Sequence, residues 1–181
     1  MGSLTQCAAS FCLFTAAVLA GAPAALQGSD ASRPEDGAVA FNVRIRQEAT
    51  ADWVRRALAG AYKRLSEPSC QGIFEAFSDP TGHPLRENLE ALQKTGQSYL
   101  GWLIFYDGTK HPGCAARGIL AVTERGSRVV YVCPEAFRSA AMHDPLLVEA
   151  VLIHEELHSL GLGEDQPSSQ EVTSRVIKNC H

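Results

Sequence analysis

The sequence predicts an α+β fold: a small, mainly antiparallel sheet packed on one buried helix, with further helices on either side. Three observations carry that prediction. Short apolar strand signals recur at residues 41–45, 100–106, 118–123 and 128–133, the last two arranged as a hairpin. Amphipathic helical patterns lie between and after them. Residues 145–160 are almost unbroken in hydrophobicity and too long for a strand, which predicts a helix buried on nearly all sides. With 45% hydrophobic side chains among 181 residues, the chain can pack a core. Sixteen basic against 20 acidic side chains give a formal charge of −4, which excludes the dense basic face of a nucleic-acid binder.

The elements follow in order. Phe41, Val43 and Ile45 alternate with Asn42, Arg44 and Arg46, a half-buried strand. Thr50 can cap a helix with Asp52 in its first turn, and Trp53, Leu58, Ala61 and Tyr62 share one of its faces. Arg55, Arg56, Lys63 and Arg64 form its solvated face. Pro68 interrupts, a short helix is expected over 70–77, Asp79-Pro80-Thr81-Gly82 is a turn, and 85–92 is a small amphipathic helix. The run 100–106 is apolar and aromatic and ends at Asp107-Gly108, a buried strand. Glu124-Arg125-Gly126-Ser127 joins the hairpin strands. The chain turns helical after Pro134, and Gly161-Leu162-Gly163 stops the buried helix. Ser168 or Ser169 caps a last helix running toward Lys178.

Residues 1–29 contain no Asp, Glu, Lys or Arg, and 11–20 form an apolar run too short to span a membrane. Ala22-Pro23-Ala24 fits a small-x-small cleavage site. Residues 1–24 are therefore expected to be a signal peptide, 25–40 a flexible lead-in, and 41–181 a single domain that is secreted or periplasmic. The mature chain is expected to be a monomer free of the membrane and of nucleic acid. Cleavage would remove Cys7 and Cys12 and leave Cys70, Cys114, Cys133 and Cys180. Four cysteines in an exported chain suggest two disulfides among three connectivities. Cys114 and Cys133 flank the hairpin region and are a plausible local pair, which leaves Cys70 with Cys180. A cysteine-ligated metal site is the rival, but none of the four forms a close CxxC pair.

The buried helix contains His154-Glu155-Glu156-Leu157-His158. Histidines at i and i+4 lie one above the other, so both imidazoles can reach one ion. Glu155 follows the first of them and can take a proton from a metal-bound water. Composition alone would produce such an HExxH run about 0.01 times in a chain of this kind. Ionisable groups inside an apolar helix are costly unless they bind something.

From His154 to Glu164 the run resembles the HExxHxxGxxH pattern of zincin metallopeptidases, in particular their metzincin branch. Gly161 matches the glycine at which that family's helix ends. The resemblance implies a zincin-like catalytic domain that binds Zn2+ and hydrolyses peptide or protein substrates. His154 and His158 would be metal ligands, Glu155 the catalytic base and Glu164 the third ligand, in place of the family's histidine. Glu171 is the alternative third ligand, on the next helix as in the gluzincin branch, and Asp165 is a further carboxylate. The methionine turn of metzincins is missing: Met1 and Met142 both precede the motif. The resemblance therefore covers the helix and its exit turn. Residues 163–169 also resemble small exported bacterial proteins that carry the same helix. Tyr131 is a candidate second stabiliser of an oxyanion, with core packing as its other use, and the strand 128–132 could offer an edge to an extended peptide. His83, His111, His143 and the terminal His181 have no spacing that recommends them. Two other functions share these residues. One is a disulfide-stapled exported binding or inhibitory protein with a structural zinc site; the other is a zinc hydrolase acting on a non-peptide amide.

Overall fold

The computed structural model describes residues 39–163 and 167–180. The expected signal peptide, most of the lead-in, and Glu164, Asp165 and His181 lie outside them. The described chain is mixed α and β. Strand β1 (Asn42–Arg44) leads into α1 (Glu48–Arg64), followed by short helices α2 (Pro68–Gln71), α3 (Ile73–Ala76), α4 (Leu85–Ala91) and α5 (Gly96–Leu100). Next come β2 (Ile104–Asp107), a single 3-10 turn (Pro112–Ala115), β3 (Ala121–Thr123) and β4 (Val129–Val132). Helices α6 (Pro134–His143), α7 (Pro145–Ser159) and α8 (Ser169–Asn179) complete it.

The four strands form one sheet in the order β1-β2-β4-β3. Here the expected mainly antiparallel sheet is corrected: β1 with β2 and β2 with β4 pair in parallel, and β3 with β4 alone is antiparallel. The connections explain it. A parallel pair needs a long crossover, and α1 to α5 provide one between β1 and β2. Only the β3–β4 link is short enough to be a hairpin, closed by Ser127 N–H donating to the Glu124 carbonyl at 2.9 Å with Gly126 at φ 75°. Phe105, Val130, Val132 and Ala121 are buried on the sheet face that meets the helices, whereas Tyr106 on the other face is exposed.

Two helix starts also differ from expectation. Helix α1 begins before Thr50, which is fully buried and donates its hydroxyl to Gln47 Oε1 at 2.7 Å instead of capping. Its core face is Ala51, Val54, Ala57, Leu58 and Ala61, while Arg56 covers the half-buried Trp53 ring at 4.0 Å. Leu100 belongs to α5 and not to a strand. Thr95 and Ser98 form a reciprocal capping box there, a polar start signal that outweighs the aromatic run behind it.

Helix α7 is the centre of the molecule, with α1, α6, α8 and β3 packed around it. Asp144 caps its start by accepting from Leu147 N–H at 3.0 Å, and Pro145 occupies the first turn, where a missing N–H costs nothing. Its end is a Schellman turn: Leu162 N–H reaches the Leu157 carbonyl and Gly161 N–H the His158 carbonyl, each at 3.0 Å. Gly161 sits at φ 119°, which a side chain would strain. Among the described residues no helix is long and apolar enough to cross a membrane.

Both disulfides form as expected. Cys114–Cys133 closes a span of 19 residues and Cys70–Cys180 one of 110, the latter fastening the end of α8 to α2. Arg64 adds to that fastening by donating to the Cys180 carbonyl at 2.8 Å while pairing with Glu149 on α7.

Candidate metal centre

The one-turn spacing of His154 and His158 on α7 brings their Nε2 atoms to 2.7 Å of each other, in a site where each residue is only 3% exposed. Their outer nitrogens are both engaged. His158 Nδ1 lies 2.9 Å from the Leu162 carbonyl, and His154 Nδ1 lies 2.8 Å from Thr173 Oγ1 on α8. A carbonyl only accepts, so His158 Nδ1 is the donor in that contact. Burial above all, with help from His158, pushes the His154 imidazolium down to about 3. His154 is therefore a neutral nitrogen donor across the physiological range.

Two imidazoles with converging Nε2 atoms and outer nitrogens tied to fixed partners are two of the three or four donors a zinc-type cation takes. Glu155, 5% exposed, lines the same cleft as His154. That cleft measures about 740 Å³ and is bounded by the segment leading into β3 (Gly118 to Ala121), by Leu147 and Val151 of α7, and by Thr173 and Ile177 of α8. Among the described residues, no group of three or more His, Cys, Asp and Glu side chains stands close enough to share an ion.

Glu171 does not join the pair. Its side chain is exposed and bonded to Arg175 one turn along α8, on the surface. Thr173 is the α8 residue that reaches His154, and sequence reasoning missed it. Its signal was faint: Val172 and Val176 mark the buried stripe of α8, and Thr173 flanks that stripe. The strand 128–132 has no free edge, because β4 is paired on both sides; β1 and β3 are the edge strands, and β3 adjoins the cleft. Tyr131 is neither in the core nor beside the histidines. It is half-buried on the sheet face opposite Val130 and Val132, stacked on His111 at 4.4 Å. His83 and His143 are exposed on the surface, whereas His111 is half-buried against Tyr131.

The exit turn of α7 is latched from outside. Asn88 Nδ2 donates to the Leu160 carbonyl at 2.9 Å and to Asp79 at 3.3 Å, and Asp79 accepts the Thr81 hydroxyl and N–H. The Thr81 hydroxyl bond, ahead of those from Asn88 and the backbone, lowers the Asp79 carboxyl to about 2. With the folded value below the unfolded one, this contribution is complete above pH 3.8 and is lost as pH falls toward 2. The acid limb of the unfolding midpoint should therefore be shallower in Asp79→Asn than in the parent between pH 4 and 2. Superimposable limbs would refute the assignment.

Glu156 points away from the histidines, about 200° around the helix at 100° per residue. It is fully buried near Gly96 and Tyr99, and neither carboxylate oxygen has a hydrogen-bond partner among the described residues. Desolvation raises its pKa well above the ordinary carboxylate range. No family model matches the chain, and no curated protein or solved structure is significantly similar to it.

Proposed function

We propose that the chain is an exported zinc-dependent peptidase. The observation that carries this reading is the convergence of the two Nε2 atoms, with both outer nitrogens engaged, beside an open cleft lined by His154 and Glu155. His154 and His158 would hold the metal, with Glu164 as third ligand because it stands at the last position of the HExxHxxGxxH pattern. Bound zinc would supply Lewis acidity and bring the pKa of a water to near 7.

The chain's own residues do the rest. Glu155 accepts the water's proton as the peptide carbonyl is attacked, then delivers it to the leaving amine. Thr173 and the Leu162 carbonyl keep the two imidazoles aimed at one point. The free edge of β3 can align an extended backbone by strand addition, which suits a peptide better than a compact amide. The signal-like amino terminus and the two disulfides support export into an oxidising compartment. A closed structural zinc site would call on Glu171, whose carboxylate is held by Arg175 at the surface.

The test is metal content together with hydrolysis of a denatured protein or a peptide library by the chain spanning residues 25–181. Stoichiometric zinc with turnover that a chelator abolishes and zinc restores is the expected result. Zinc without turnover on any peptide would overturn the peptidase reading.

A further inference from the structure

The two disulfides differ in access. Cys70 is 0% and Cys180 1% exposed, both within the core. Cys114 is half-buried, and with Cys133 it lines an open surface pocket of about 550 Å³ beside Gln47, Thr109 and Arg117. We propose that Cys114–Cys133 is an exchange site for a small thiol, and that its opening loosens one wall of the neighbouring cleft.

The exchange balances in two steps. An incoming thiolate attacks Sγ of Cys114, the more exposed of the pair, since Cys133 is only 3% exposed. A new S–S bond joins the small thiol to Cys114, the Sγ–Sγ bond breaks, and its electron pair leaves on Cys133 as a thiolate. A second thiolate then attacks the small thiol's sulfur in the mixed disulfide and frees Cys114 as a thiolate. Two small thiolates are thereby oxidised to one disulfide, and the protein gains two electrons. Cys133 is placed to leave. It stands at the start of the ten-residue α6, which has no side-chain cap there, so first-turn N–H groups meet the developing charge. Glu135 in the same turn is exposed, and solvent screens its opposition.

The consequence for the cleft follows from how Cys133 holds the segment leading into β3. Its Sγ fixes Cys114 and its N–H donates to the Leu120 carbonyl at 2.9 Å, so one residue anchors both ends. Between these anchors, residues 116–119 make no hydrogen bond among the described residues. Gly118 to Ala121 form a wall of the cleft that His154 and Glu155 also line. Opening the disulfide removes the first anchor and leaves the second. Cys70–Cys180, beyond the reach of the thiol, keeps α8 fastened to α2.

Reduced glutathione is the probe. The oxidised protein is treated with it and quenched by alkylation, and each cysteine is read by mass spectrometry. Trypsin cleavage after the exposed Arg117 reads the wall. Cys114 and Cys133 should open at least about tenfold faster than Cys70 and Cys180, with glutathione captured on Cys114. Cleavage after Arg117 should then rise about tenfold, with sites in α1 and α8 unchanged. Opening of both disulfides at one rate, opening of Cys70–Cys180 first, or capture on Cys133 would each overturn the exchange site. Cleavage after Arg117 that stays constant, or that rises together with every other site, would overturn the loosened wall.

Discussion

Glu155→Gln is expected to lower peptide hydrolysis by about 10²- to 10⁴-fold while leaving zinc affinity within a few-fold of the parent. That range is what a positioned general base contributes to a proton transfer in the transition state. Glutamine keeps the length and shape of the side chain but cannot accept the water's proton, so the change removes the chemistry and not the packing. Glu155 is itself 5% exposed, so its carboxylate is largely removed from solvent although it lines the cleft. His154 and His158 are held by Thr173 and the Leu162 carbonyl. The split between lost turnover and kept metal is the informative part. Hydrolysis unaffected by Glu155→Gln would remove Glu155 from the mechanism, and loss of zinc along with turnover would make Glu155 a ligand or a structural residue instead.

Removing Cys70–Cys180 by the double change to alanine should destabilise the protein more than removing Cys114–Cys133. Denaturant unfolding under oxidising conditions would measure both. A cross-link stabilises chiefly by limiting the unfolded chain, and the effect grows with the loop it closes. The spans are 110 and 19 residues. Chain entropy then gives about 4–5 kcal/mol for the long loop and about 3 kcal/mol for the short one. Against a typical total of about 5–15 kcal/mol, the first loss is severe. The long loop also has a local consequence, because Cys180 is 1% exposed at the end of the helix that carries Thr173. Metal affinity should therefore fall with Cys70–Cys180 and hold with Cys114–Cys133. Equal destabilisation by the two pairs would show that strain or residual unfolded-state structure outweighs loop entropy.

Local signals were legible wherever a residue's role depends on its near neighbours in the chain. The stop at Gly161 and the Ser168 start of α8 both follow from preferences confined to one helical turn. The hairpin between β3 and β4 was readable for the same reason, since its loop chemistry sits within a few residues. Thr50 misled because a hydroxyl before an apolar pattern looks the same whether it caps the helix or is buried inside it. Residues 100–103 misled because a buried aromatic run satisfies helix and strand equally, and only the Thr95–Ser98 box decides between them.

By itself the sequence determined that two histidines share one face of a buried helix, that a glutamate follows the first, and that four cysteines remain beyond the leader-like segment. These depend on the 3.6-residue helical period and on counting. Tertiary structure alone decided that the sheet is mostly parallel, that β3 and not β4 offers a free edge, and that Thr173 rather than Glu171 meets His154. The physical reason is common to all three. Periodicity says which residues share a face, but the neighbour that face meets is set by how long connections return the chain and by the rotation at which helices settle against one core.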